Sequence, residues 1–258
     1  MTPFPKIVFA GDRALSVKIL QFMFAHGCKP EALLVADGPE ASHAEELKSL
    51  CNFLPSARII VGKDFRSAES VALLRKIDPD YIIGIHYPYI IPKEVLEIPH
   101  RGFLNLHPAY LPYNRGWHTP SWAIIDGTPY GATLHFMKEQ LDQGDILAQK
   151  KLAIDQTDTA NSLYQKALAL EYDVFVDFWS RLVSGTYIPT PQDHTKMTSH
   201  KKSDMAGIQE IDLNKTYPAR EIIDKLRALT TNSIAEAAYI IVDGKKYSIQ
   251  VHIEEGKN

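Results

Sequence analysis

The sequence has little of what would mark a disulfide-stapled, zinc-stabilised or membrane protein. Its 258 residues include two cysteines, Cys28 and Cys51, which form neither a C-x-x-C pair nor a zinc spacing. Two buried free thiols are therefore the better interpretation. The N-terminal segment lacks a basic stretch followed by a long apolar run, and no apolar run approaches the roughly 20 residues that span a bilayer. We expect a cytoplasmic protein with no membrane partner.

The chain also lacks an excess of positive charge. Its formal net charge is −3 at pH 7, which gives no general electrostatic reason to expect DNA or RNA binding. Hydrophobic residues make up 45% of the sequence, an ordinary content for a globular protein. A chain of this length can bury the core of one enzyme-sized domain and still carry a smaller appendage.

The glycine-rich signatures of several large nucleotide-binding and hydrolase families are absent. The first strand-to-helix turn, AGDRALS at 10–16, carries one glycine instead of G-x-G-x-x-G. Asp37 does stand at the end of the second predicted strand, where a ribose-binding acid would be, but without the glycines this is weak support for NAD. Neither G-x-x-x-x-G-K-[ST] nor G-x-S-x-G occurs, which disfavours a P-loop NTPase and an α/β-hydrolase.

What the sequence does contain is an alternation of short apolar runs and amphipathic segments. This alternation predicts parallel strands joined by helical crossovers, and hence an α/β fold with a Rossmann-like open, mostly parallel sheet. Strands are predicted at 6–11, 32–37, 57–62, 81–86, 102–107, 131–137 and 146–152, and helices at 14–25, 67–77, 120–126 and 158–184.

The composition changes at residues 186–204, where prolines and polar residues replace the periodic pattern. This segment is predicted to be a linker between a main domain at 1–185 and a small C-terminal α+β appendage at 205–258. The appendage contains a helical pattern at 219–229 and two strand-like runs joined around Asp243-Gly244, a hairpin turn signal.

Asn105 and His107 are the first candidates for chemistry. They lie two positions apart on a predicted strand that ends at Pro108, so their side chains share one face at its carboxyl end. Ligands of open α/β sheets bind at that edge. Asp142 lies in the glycine-containing turn LDQGDI after a later strand and can meet His107 if the strands are neighbours. From spacing alone, a structural role in turns and strand ends remains an equal alternative.

The segments NLHPAYLPYNRG at 105–116 and LDQGDILAQ at 141–149 resemble the paired signature of the formyltetrahydrofolate-dependent formyltransferases. The resemblance covers roughly residues 5–185 and implies the formyltransferase fold for a catalytic domain at 1–185. It places the catalytic asparagine, histidine and aspartate on Asn105, His107 and Asp142. The family's usual serine after His-Pro is replaced by Ala109, a departure that resembles the branch formylating nucleotide-linked amino sugars.

The chemistry of a formyl transfer suits these residue types. An amide N–H can stabilise the oxyanion that forms when an amine attacks a formyl carbon, a task for Asn105. An imidazole near neutrality can exchange the proton, a task for His107. A carboxylate beside it can orient the ring, raise its proton affinity and relay the proton, a task for Asp142.

The resemblance implies N10-formyltetrahydrofolate as the formyl donor. His118 and His135 do not form a recognisable metal set with the other residues, so no metal is expected. The donor is expected along the loop after the strand at 81–86, with the LDQGD turn opposite. The residues predicted to bind it are Tyr87, Pro88, Tyr89, Ile90, Ile91, Gly144 and Asp145. The alternative is that the tyrosines cap the core.

The resemblance leaves several acceptors open. A nucleotide-linked amino sugar is favoured, with dTDP-4-amino-4,6-dideoxyglucose first and the 3-amino isomers next, for surface-polysaccharide (O-antigen) synthesis. Methionyl-tRNA, glycinamide ribonucleotide and a formyltetrahydrofolate hydrolase using water are the alternatives. Arg115 is predicted to pair with a diphosphate, and Trp117 or Tyr110 to stack on a base or sugar. His118 and Arg13 are further candidates, and the appendage is expected to mediate a homodimer.

Overall fold

The computed structural model describes residues 4–39 and 41–256. Its strands are β1 Ile7–Gly11, β2 Ala32–Val35, β3 Ile59–Val61, β4 Tyr81–Ile85, β5 Gly102–His107, β6 Arg115–Gly116, β7 Tyr130–Phe136, β8 Ile146–Leu152, β9 Ser199–His200, β10 Ala238–Val242 and β11 Lys245–Ile249. Its α-helices are α1 Arg13–Ala25, α2 Ala44–Leu50, α3 Ala68–Ile77, α4 Lys93–Leu96, α5 Thr119–Asp126, α6 Ala160–Ser184 and α7 Ala219–Ala228.

Seven strands form one open sheet in the order β3-β2-β1-β4-β5-β7-β8. The pairings from β3 through β5 are parallel. Strands β1 and β4 are buried over their whole length, because their continuous apolar runs, IVFAG and YIIGI, suit a sheet covered on both faces. The predicted α/β fold with a mostly parallel sheet is confirmed.

The chain divides into two compact units. The first comprises Met1–His107, Leu134–Ala148 and Glu171–Gln192. One of its cores packs alternate residues of β1, β2 and β4 against α3, with Phe65 and Ile91 inside the cluster. Cys28 and Cys51 are both buried and unpaired, as predicted.

The second unit comprises Pro108–Thr133, Gln149–Leu170 and Asp193–Asn258. Helix α7 belongs to one of its cores, because Ala228 packs with Ala123, Ile124 and Leu163. The buried Arg227 at the end of α7 donates hydrogen bonds to the backbone oxygens of Asp155 (2.6 Å) and Asp158 (2.7 Å).

Strands β10 and β11 form the predicted hairpin. Val242 pairs with Lys245, so the connection has two residues, Asp243 and Gly244. Both have positive φ, 49° and 73°, as a tight turn compatible with strand twist requires.

The segment predicted as a linker makes specific contacts. Thr190 forms a bridge with Ile146 in the first unit, and β9 pairs with β6 in the second. The predicted boundaries at 185 and 204 stay predictions. In the part of the chain that the structure describes, no helix is long and apolar enough to cross a membrane, and the cytoplasmic location also stays a prediction.

Candidate active site

The candidate site lies at the carboxyl end of β5 in the first unit. Asn105 and His107 occupy alternate positions of this strand, and Asn105 is in register with Gly84 of β4. His107 is buried and Asn105 half-buried. The strand therefore presents a carboxamide and an imidazole on one face, as the two-residue spacing predicts.

Asp142 lies beside His107. Its Oδ2 is 3.6 Å from Nε2 of His107, and both side chains are buried. This separation is longer than a hydrogen bond, yet close enough for an electrostatic interaction between the two buried side chains. Hydrogen bonds between catalytic groups are often long in a free enzyme and shorten once substrate is bound.

His135 of β7 completes the cluster, although no catalytic or binding role was predicted for it from the sequence. Its Nε2 lies 3.4 Å from Nδ2 of Asn105 and 3.6 Å from Oδ1 of Asp142. Its Nδ1 lies 2.8 Å from the carbonyl oxygen of Phe136, which can only accept, so Nδ1 carries a proton. In the neutral ring Nε2 then accepts from Asn105 and fixes which atom of the carboxamide is the nitrogen.

A signal for His135 was present in the sequence. It stands in the run GATLHFM, directly before the turn that carries Asp142, and so at the same edge of the sheet. What the sequence does not state is that β7 lies next to β5.

The loop that carries Asp142 is held by close contacts. Asp142 adopts a left-handed backbone conformation, φ 54°. A Cβ at Gly144 would lie 1.6 Å from the carbonyl oxygen of Phe136, so only glycine fits there. The buried Gln192 donates from Nε2 to the backbone oxygens of Asp142 (2.8 Å) and Gly144 (2.6 Å). The sequence analysis missed Gln192 because it lies in the segment predicted to be a linker.

The predicted donor loop follows β4. The hydroxyl of Tyr87 donates to the backbone oxygen of Gly62 (3.0 Å), and its ring contacts Phe65. Burial is the largest cause of a raised pKa for the Tyr87 phenol, which keeps it a donor at neutral pH. The hydroxyl of Tyr89 donates to the carboxylate of Asp37. The hydroxyl groups of both tyrosines therefore hold the loop against other parts of the first unit.

The remaining predicted donor residues differ in exposure. Ile91 is part of the core, Pro88 is exposed, and Ile90 is 75% exposed, with its backbone oxygen accepting from Arg66 (2.7 Å). Asp145 pairs with Lys138 at 2.9 Å. Because residues 86–92 form neither helix nor strand, their backbone groups lie outside the sheet ladder and suit a heterocyclic ligand. Donor binding by these residues stays a prediction.

Asp37 is accounted for by the contact with Tyr89. A ribose-binding acid must offer its oxygens to a ligand, whereas this carboxylate accepts from a protein hydroxyl.

Arg13, a predicted acceptor residue in the first unit, is exposed at the start of α1 with φ 66°. The buried carboxylate of the preceding Asp12 accepts from the backbone N–H groups of Ser42 (3.0 Å) and His43 (3.2 Å). Asp12 therefore fixes this turn, while a role for Arg13 stays a prediction.

The other predicted acceptor residues lie in the second unit. Arg115 is only 1% exposed, with Nη1 3.1 Å from Sδ of Met197 and Nη2 3.3 Å from Nδ1 of His194. A diphosphate could reach its guanidinium only if those side chains moved. Tyr110 is half-buried, and its backbone oxygen accepts from the N–H of Tyr113 (3.1 Å).

Trp117 and His118 lie directly after β6. Trp117 is 46% exposed, and Nζ of Lys202 lies 5.2 Å from its ring centroid, a cation–π contact. His118 has φ 55° and its Nδ1 is 4.0 Å from Oε1 of Glu236. Burial is the largest cause of the lowered pKa of His118; Glu236 opposes this effect, and Lys202 adds to it. Acceptor binding by these residues stays a prediction.

Among residues 4–39 and 41–256, no three or more His, Cys, Asp or Glu side chains are grouped so as to hold a metal ion.

Two family comparisons match the chain. A sequence model described as formyl transferase matches residues 36–178. A second, described as the N-formyltransferase dimerization C-terminal domain, matches residues 204–255. The first match contains Asn105, His107, His135 and Asp142.

Individual formyltransferases are also similar to this chain. A dTDP-4-amino-4,6-dideoxyglucose formyltransferase of Mycobacterium bovis is 31% identical over 180 residues, covering 69% of this chain and 75% of that protein. A methionyl-tRNA formyltransferase of Myxococcus xanthus is 34% identical over 237 residues, covering 88% of this chain and 73% of that protein. The solved structure of a sugar N-formyltransferase from a Shewanella species is 25% identical, with a TM-score of 0.81, covering 98% of this chain and 99% of that one.

Proposed function

The chain belongs to the formyl transferase family, and we propose that it moves a formyl group from N10-formyltetrahydrofolate to the amine of a dTDP-linked amino-dideoxysugar. The first candidate acceptor is dTDP-4-amino-4,6-dideoxyglucose. The observation that carries the reaction type is the convergence of Asn105, His107 and Asp142 at the carboxyl end of the sheet.

Each side chain of this cluster has a task in the proposed reaction. The N–H of Asn105 that does not face His135 stabilises the oxygen that gains negative charge, a contribution of about 3 kcal/mol. His107 takes the proton that the attacking amine loses and returns one to the departing nitrogen. Asp142, 3.6 Å away, stabilises the charged form of that imidazole. The folate supplies the formyl carbon and the leaving nitrogen.

The C-terminal segment supports a sugar acceptor. Residues 204–255 match a domain type of N-formyltransferases, and the Shewanella sugar enzyme is covered almost from end to end. Residues 201–258 contain nine basic and nine acidic side chains, so their formal charge is zero. A tRNA partner would favour a basic surface, because phosphate contacts dominate nucleic-acid affinity.

The 3-amino isomers of the sugar are the next candidate acceptors, because a small shift of the same contacts would exchange the two amine positions. Methionyl-tRNA is the alternative from a different substrate class, since the Myxococcus xanthus enzyme is 34% identical over 88% of this chain. We further propose that the C-terminal segment makes a homodimer, and that the product supplies surface-polysaccharide synthesis.

The proposal is tested by mass spectrometry after incubation with N10-formyltetrahydrofolate and a panel of dTDP-linked 3-amino and 4-amino dideoxysugars. The expected product is one sugar carrying a single added formyl group. Methionyl-tRNA is assayed in parallel, and a reaction without acceptor tests for released formate. Formylation of tRNA alone, or formate release alone, would contradict the sugar assignment. Asp142→Asn is the control that should remove each of these activities.

A further inference from the structure

A buried histidine and a buried glutamate form a pair at the carboxyl end of β4 that the proposed reaction does not use. Nε2 of His86 lies 3.1 Å from both Oε1 and Oε2 of Glu171. The side chain of Glu171 is fully buried, and that of His86 is 8% exposed. Two carboxylate oxygens equidistant from one ring nitrogen require a proton on that nitrogen, so Nε2 donates and the ring is fixed.

His86 carries two unfavourable local features. Its backbone has φ 52°, a left-handed conformation that residues with a Cβ adopt rarely. Its Nδ1 is buried and has no hydrogen-bond partner among the described residues. Features of this kind persist only where the surrounding structure dictates them, and they concentrate at ligand sites.

The position of His86 connects it with the candidate site. Ile85 of β4 is in register with Leu106 of β5. His86 follows Ile85 and His107 follows Leu106, so the two histidines occupy equivalent positions on neighbouring strands. The loop of residues 87–91 begins at the next position. The left-handed turn at His86 therefore sets the direction in which this loop leaves the sheet.

We propose that His86, held by Glu171, is a positioning residue for the formyl donor, a role that rests on the proposed function. The pair fixes the first residue of the loop 87–91, and through it the backbone groups offered to the folate. Tyr87 and Tyr89 brace the middle of the loop through Gly62 and Asp37. His86 braces its origin, without touching substrate.

The decisive variant is the double replacement His86→Gly with Glu171→Gln. Glycine adopts the left-handed conformation without steric cost, and glutamine leaves no unpaired buried charge, so we expect the fold to be retained while the His86–Glu171 pair is lost. The probe is 5-formyltetrahydrofolate, measured by calorimetry. We expect at least tenfold weaker binding and a matching rise in KM for N10-formyltetrahydrofolate, with KM for the amino sugar within twofold of wild type.

The matched control is His100→Asn, which removes an exposed histidine paired with Asp78 at 2.6 Å in the same unit. It should leave folate binding unchanged. A double variant that melts at a lower temperature but binds folate within twofold of wild type would show that the pair is only structural and would overturn the proposal.

A second measurement applies if the double variant does not fold. In Glu171→Gln one acceptor for Nε2 remains, and we expect faster hydrogen exchange at residues 87–91 in the free protein, suppressed by 5-formyltetrahydrofolate. Exchange equal to wild type would overturn the role of the pair. Absence of folate binding by the wild-type protein would instead overturn the proposed function itself, so the two failures are distinguishable.

Discussion

Nδ2 of Asn105 lies 3.4 Å from Nε2 of His135, across the pairing of β5 with β7. The carboxamide proposed to meet the reacting oxygen is thus oriented by a histidine whose other nitrogen donates to the backbone oxygen of Phe136.

Replacing His135 with phenylalanine should free the carboxamide of Asn105 to rotate while keeping the volume of the ring. Because small misplacements of catalytic groups are costly, we expect kcat to fall by roughly tenfold to a hundredfold. His135→Gln, which retains a polar acceptor, should lose less. Steady-state kinetics with melting temperatures would check this, and a kcat within twofold of wild type in His135→Phe would exclude the orienting role.

Replacing Asp142 with asparagine should lower kcat by about 10² to 10⁴, and His107→Ala should do the same. Asparagine tolerates the left-handed backbone at position 142, so the loop should keep its shape while the carboxylate charge is lost. Asp78→Asn is the matched control, because Asp78 is also left-handed, φ 57°, and lies outside the site. Near-normal turnover in either site variant would overturn the assigned mechanism.

Replacing Gln192 with leucine should leave the carbonyl oxygens of Asp142 and Gly144 without the side-chain donor they share. We expect a loss of about 1–3 kcal/mol in the free energy of unfolding and a lower kcat, because the loop can then move relative to His107. Gln156→Leu, at an exposed position, provides the comparison. Equal stability and equal kcat in the two variants would show that Gln192 does not hold the loop.

His118 should make the protein less stable in acid. Its pKa is lowered in the folded protein, chiefly by burial, so the unfolded chain takes up a proton that the folded chain resists. The folded protein therefore keeps its full stability above about pH 6.5, the ordinary pKa of histidine, and loses part of it as the pH falls below that value. The difference between the melting temperatures at pH 5.0 and pH 7.5 should be smaller for His118→Asn than for the wild type. Asparagine tolerates the left-handed backbone at this position. An undiminished difference would place the acid sensitivity elsewhere.

Ending the chain after Ser203 should destabilise the rest of the second unit as well as remove the hairpin. The truncation removes Ala228 from a core shared with Ala123 and Leu163, and it removes the guanidinium of Arg227 from the carbonyl oxygens of Asp155 and Asp158. We expect poor solubility and an early melting transition, because the exposed apolar face favours association. Arg227→Lys should show part of the same loss, whereas a soluble and fully stable truncated chain would contradict the packing argument.

The sheet was predictable because its strands are buried on both faces and therefore read as continuous apolar runs. The shared face of Asn105 and His107 was also predictable, from the two-residue period of a strand. These inferences need only local patterns, whereas the meeting with Asp142 requires β7 to lie next to β5, which the sequence does not state.

The rest of the site depends on contacts between distant parts of the chain. Nothing near Gln192 signals that its amide reaches Asp142, fifty residues away. Burial of Arg115 beside Met197 is likewise set by the pairing of β6 with β9, two strands of two residues each, too short to leave a pattern. The pairing of His86 with Glu171 links a strand end to a helix face 85 residues later.

Chemical labelling of the two cysteines can report local opening of the first unit. Cys28 and Cys51 are buried, and burial raises the pKa of each thiol to about 11. A thiol reagent needs both access and a thiolate, and the folded protein offers neither near neutral pH. The rate at which a small alkylating reagent labels these positions therefore counts openings of the region around α1 and α2, without any engineered probe.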